Sequence, residues 1–202
     1  MALKEKTTPV VYLTIREGKI AKKEGDSYVL FDSVEGYIRG ISTRDHKYGT
    51  DLCITLEDDQ MYQLQIKMKG EEPTSKQTAY FIAFAHCCPA IDPHQRVEFI
   101  PNLKIVDDKK RSALFLKQNG ETMKWAYKVG QDGVPAPEEL KNKKGEVIST
   151  DWSEVEAYRV DQVNLFSKNL APAVPRDIVR EYGVNPHAES INDDDSISDL
   201  PW

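Results

Sequence analysis

From position 37 onward, apolar and polar residues alternate with the period-two rhythm of half-buried strands. Tyr37 to Arg44 forms the first run and contains Gly40, and a turn around Gly49 spans His46 to Thr50. Leu52, Ile54 and Leu56 then alternate with Cys53, Thr55 and Glu57, before Asp58-Asp59-Gln60 turns the chain into Tyr62, Leu64, Ile66 and Met68. The pattern predicts a three-stranded meander. Helical spacing replaces alternation over Thr78 to His86, where Ala79, Ile82, Ala83 and His86 recur behind Thr74 or Ser75 as a cap. Strand signals resume at Val97 and Phe99 before Pro101, at Leu114 and Leu116, and in Thr122 to Lys128 after the hairpin dipeptide Asn119-Gly120.

Three strands, a helix and two or three further strands is the order of the OB-fold. The expected fold is therefore mainly β: a five-stranded Greek-key barrel with a capping helix over residues 35–130. Gly40 suits the bend of a first strand shared by both sheets. Val10 to Lys23, folded around Glu17-Gly18, reads as a hairpin within an N-terminal β extension over 1–34. Beyond Gly130, Pro135, Pro137, the Lys141 to Lys144 cluster and Gly145 predict a long exposed loop. Trp152, Val155, Tyr158, Val163, Phe166 and Leu170 follow at helical intervals behind Asp151 or Ser153, an amphipathic helix that docks on its own barrel or on a neighbour. A short helix from Arg176 to Tyr182 completes a loop-and-helix segment over 131–186, leaving 187–202 as a disordered acidic tail.

A hydrophobic content of 40% in 202 residues supports one domain with an appendage. No run reaches the roughly 18 to 20 apolar residues of a membrane span, and Met1 to Pro9 has no signal-peptide core, so an intracellular soluble protein is expected. Three cysteines, two of them the adjacent Cys87 and Cys88, predict reduced thiols serving as small core residues. The net charge of −6 argues against a nucleic-acid partner until its distribution is considered. Glu189, Asp193, Asp194, Asp195 and Asp199 fall between His187 and Trp202 with no Lys or Arg, so the rest of the chain is close to neutral.

If Leu52, Ile54, Leu56, Leu64 and Ile66 point inward, then Cys53, Thr55, Gln63, Gln65 and Lys67 face out, on the side OB proteins use for ligands. Arg39, Arg44, Lys47, Tyr48 and Lys69 supply one wall of a groove for single-stranded DNA; Phe115, Lys117, Lys124, Trp125 and Lys128 supply the other. Cations interleaved with aromatics suit phosphates and stacked bases. Tyr48, in a turn, is the leading stacking candidate, whereas Trp125 serves equally well as core because Met123 and Tyr127 share its face.

The final residues, Asp193-Asp194-Asp195-Ser196-Ile197-Ser198-Asp199-Leu200-Pro201-Trp202, resemble the acidic tails of bacterial and phage single-stranded DNA-binding proteins, the phage type above all. Two departures stand out: Trp202 replaces the usual Phe of bacterial members, and Ser196-Ile197-Ser198 spaces the acids more loosely. The resemblance implies a non-enzymatic protein of the bacterial or phage-infected cytoplasm that coats single-stranded DNA in replication, recombination or repair. It also implies that Asp193, Asp194, Asp195, Asp199, Leu200, Pro201 and Trp202 recruit a polymerase, helicase, primase or nuclease. Plain solubilising disorder is the competing reading of the tail. No cofactor or metal is expected: His86, Cys87, Cys88 and His94 lack zinc-ligand spacing, and Glu57, Asp58, Asp59, Asp107 and Asp108 sit at turns. A β-barrel protein adaptor and a metal-dependent nuclease are the alternative functions, and oligomeric state stays open.

Overall fold

The computed structural model describes residues 9–72 and 74–170. The short helix and acidic tail expected beyond Leu170 lie outside the described residues. The strands are β1 (Val10–Arg16), β2 (Lys19–Glu24), β3 (Ser27–Phe31), β4 (Val34–His46), β5 (Gly49–Glu57), β6 (Met61–Lys69), β7 (Val97–Val106), β8 (Lys109–Gln118), β9 (Glu121–Thr122), β10 (Glu138–Lys141) and β11 (Val147–Asp151). Among the described residues two α-helices, α1 (Ala79–Cys87) and α2 (Ser153–Lys168), accompany them. The chain is mainly β, with nine strands joined in the order β3-β2-β1-β6-β5-β4-β7-β8-β9 and β10-β11 as a separate ribbon.

The meander forms as its alternation predicts. Ile54 pairs with Leu64 and Leu52 with Ile66, and these four residues, with Leu56, are completely buried. Each such side chain contributes about 1.5 to 3 kcal/mol by leaving water. Phe81 and Phe84 of α1 enter the same core beside Val97, Phe99 and Leu116, the Phe84 and Phe99 rings stacking at 6.1 Å. Gly40 lies where the β4–β5 register shifts, and β4 pairs with β7 through Val34 to Gly36 and with β5 from Tyr37 onward. One bent strand thus serves two ladders.

The N-terminal strands differ most from expectation. The expected N-terminal β extension is joined to the main sheet, because β1 pairs in parallel with β6, from Val10 opposite Met61 to Thr14 opposite Gln65. The β1–β2 turn abuts β7: a Cβ on Gly18 would lie 2.4 Å from the Leu103 amide nitrogen, and its φ of +74° is itself a glycine conformation. Backbone pairing among the described residues nevertheless leaves the sheet open, ending at β3 and β9, rather than closing five strands on themselves.

Other boundaries shift for local reasons. Thr78, not Thr74 or Ser75, caps α1 by accepting the Phe81 amide. β7 runs through Pro101, which pairs with Leu114 of β8 beyond the reach of β4, so its missing N–H costs no ladder bond. β9 ends at Thr122, the Met123 amide makes a last bond to the Leu116 carbonyl, and residues 124–127 then leave the ladder for α1, Ala126 donating to the His86 carbonyl. The expected loop after Gly130 contains the β10–β11 ribbon, exposed throughout, which hid it from an alternation-based reading. α2 docks within the same chain, against α1 and the short turn Cys88–Ala90, through Val155, Arg159, Val163 and Phe166. Its start is held by Asp151, whose side chain accepts the Ser153 amide.

Candidate nucleic-acid interface

The outer face of the sheet centres on β1 and β6. Their register sets Tyr12 opposite Gln63 and Thr14 opposite Gln65, and period-two alternation carries Arg16 and Lys67 along the same face. Tyr12 is 59% exposed. Tyr28 of β3 joins this face, with the Arg16 guanidinium 3.7 Å from its ring centroid. A depression of about 780 Å³ opens alongside, lined by Arg16, Tyr28, Gln65, Lys67, Tyr80 and Lys110. Asp51 also lines it, but its carboxylate accepts from Arg44 at 3.3 Å and lies 3.1 Å from the His46 ring nitrogen, so its charge is shared.

A second depression, about 550 Å³, lies between α1, β8 and β9 and includes Phe115, Met123, Lys124 and Trp125. The two share Ala79 and Ser112, so they adjoin as a two-part trough at the first turn of α1, which bears no acidic residue. The nearby end of the β7–β8 hairpin adds exposed Lys104, Lys109, Lys110 and Arg111. Asp107 and Asp108 form the tight turn there with φ of 50° and 57°.

The expected site residues separate into three groups. Gln63, Gln65 and Lys67 lie on the outer face, while Phe115, Lys124 and Trp125 line the second depression; Phe115 is 46% and Trp125 58% exposed. Lys47 and Tyr48 form the β4–β5 turn, the ammonium 4.6 Å from the ring centroid, and Lys128 is exposed in the irregular segment after β9. Arg39, Arg44, Lys69 and Lys117 are engaged by acids: Arg39 with Glu57 at 2.6 Å, Arg44 with Asp51 at 3.3 Å, Lys69 with Glu156 at 3.8 Å, Lys117 with Glu98 at 3.9 Å. Cys53 does not face solvent, being 3% exposed, and burial raises the pKa of its thiol while Arg44 draws it down. The tail residues Asp193 to Trp202 lie outside the described residues.

Arg16, Tyr12, Tyr28, Tyr80 and Lys110 were missed by the sequence reading. The alternation of Tyr12, Thr14 and Arg16 with Val11, Leu13 and Ile15 held a signal for the first two, but nothing local says that β1 lies beside β6.

His86, considered for zinc, is occupied differently. Its Nδ1 lies 3.2 Å from the Tyr127 carbonyl, which accepts from it, while Nε2 accepts from Arg159 Nε at 3.3 Å. The ring stacks on Tyr127 at 4.4 Å and leans on Trp125 at 4.5 Å. Burial lowers its pKa, and the Arg159 charge lowers it further, which keeps the imidazole neutral. Burial alone pushes the Cys87 thiol up to about 11, and burial foremost lifts that of Cys88 to about 12. Among the described residues no three His, Cys, Asp or Glu side chains cluster to hold a metal ion, and no helix is long and apolar enough to cross a membrane. Asp58, weighed for catalysis, binds Arg96 at 2.7 Å. Compared with known families, characterised proteins and solved structures, the chain matches none of them.

Proposed function

We propose that this chain binds single-stranded DNA without sequence readout, coating it during replication, recombination or repair. The observation that carries the reading is the trough: Arg16, Lys67, Lys110 and Lys124 line it together with Tyr28, Tyr80, Phe115 and Trp125. Cations track phosphates and aromatic faces receive bases, each stacked base contributing about 1 to 3 kcal/mol. The helix α1 directs its positive N-terminal end toward the junction of the two depressions, adding to the field. An OB-type barrel is the finer fold reading, supported by the β4-β5-β6 meander, the helix placed after it and the shared, bulged β4, with β1 and β2 filling the opening. The acidic tail recruits replication enzymes, its terminal Trp202 filling a basic-rimmed pocket on the partner.

Titration with oligo-dT tests the reading. Quenching of Trp and Tyr emission that weakens with salt is expected; no response at low salt, in a chain truncated before Asp193, refutes it. The non-enzymatic assignment fails if labelled single-stranded DNA is cleaved with magnesium or manganese. Truncation before Asp193 is also expected to abolish pull-down of replication enzymes while leaving the fold intact.

A further inference from the structure

β3 ends the sheet, and among the described strands it pairs only with β2. Edge strands expose a row of backbone donors and acceptors, and natural ones are blunted by charge, proline or a bulge. β3 has none of these. Its sequence is Ser-Tyr-Val-Leu-Phe, its register with β2 is unbroken, and Val29, Leu30 and Phe31 are 38%, 49% and 44% exposed. The Gly25-Asp26 turn makes Glu24 and Ser27 a hydrogen-bonded pair, so Val29 and Phe31 bond to β2 while the backbone groups of Tyr28, Leu30 and Asp32 point to the open edge.

We propose that β3 pairs antiparallel with β3 of a second copy of this chain, the twofold axis passing through Leu30. Leu30 then faces the partner's Leu30, Val29 faces the partner's Phe31, and Tyr28 faces the partner's Asp32. All three exposed apolar side chains are covered, and the Val–Phe pair, an aromatic against a β-branched residue, occurs twice. Charge favours the same register. Asp32 is 85% exposed, is held by Lys19 of its own chain and lies on the face of Tyr28, so it meets an uncharged ring of the partner rather than a like charge. Centring the axis on Val29 instead sets Asp26 against Asp32, two like charges directly opposed. The interface is isologous, and it joins the outer faces of both copies into one surface.

Sedimentation velocity of the whole chain at micromolar concentration, without DNA, reads the association apart from any nucleic-acid function. Dimer is expected. Leu30→Lys weakens it at least about tenfold with an unchanged far-UV spectrum, since the residue is exposed on an edge. Register is read with single cysteines. In Leu30→Cys the facing Cα atoms lie about 5.5 Å apart, within the disulfide range of about 4.4 to 6.8 Å, so mild oxidation links the two copies. Val29→Cys, which faces the partner's Phe31, stays unlinked. The buried thiols of Cys53, Cys87 and Cys88 do not compete. A monomeric wild-type chain, a Leu30→Lys variant that still dimerises, or Val29→Cys linking as readily as Leu30→Cys overturns the proposal.

Discussion

Two regions of the molecule combine arginine with aromatic rings, and they use the combination in opposite ways. At the α1–α2 junction, Arg159 is 6% exposed, donates to His86 and Gln77, and lies 6.0 Å from the Trp152 ring centroid. At the sheet edge, Arg16 covers Tyr28 and borders an open trough. The first cluster spends its donors inside the protein, so its charge sustains packing. The second leaves its donors facing solvent, where a phosphate can take them. Residue type is shared; burial separates the packing role from the proposed recognition role.

The contrast can be broken or sharpened by substitution. Arg159→Ala is expected to cost about 2 to 3 kcal/mol in urea unfolding, because it opens a gap and orphans the His86 acceptor, while leaving DNA affinity unchanged. Tyr28→Ala reverses the pattern, costing about 1 to 3 kcal/mol of oligo-dT affinity and less than about 0.5 kcal/mol of stability. Equal effects of both changes on binding would erase the distinction. Lys67→Ala acts through one phosphate, and lowers the slope of log affinity against log salt by about 0.7. The smallest effect concerns pH. Because burial holds the folded pKa of His86 below its unfolded value near 6.5, the unfolded chain binds the proton more readily, so stability is full above that value and declines as pH falls through it. His86→Gln should flatten that decline in thermal melts.

Much of the fold was written in local pattern. Leu52 to Leu56 and Tyr62 to Met68 alternate because one face of their ladder is sealed, and Asn119-Gly120 turns where its φ angles of 54° and 78° require. The trough was legible only in part, since Gln65 and Lys67 follow from that alternation but Tyr28 and Lys110 belong to local hairpins that only the long-range β1–β6 and β4–β7 pairings bring to it. Lys69 and Lys117 carry no sequence mark of the carboxylates that engage them. Trp125 was misplaced on a strand because its partner is the His86 ring of α1 rather than a neighbouring ladder.

The parallel union of β1 with β6 also orders events during synthesis. Val10–Arg16 leaves the ribosome well before Met61–Lys69, so until the later segment emerges the first has only its own hairpin for company. Such a long-range closure is slow to find and late to form. The nascent N-terminal ribbon must therefore wait for the meander, and the aromatic-bearing face proposed for nucleic acid is assembled only when that wait ends.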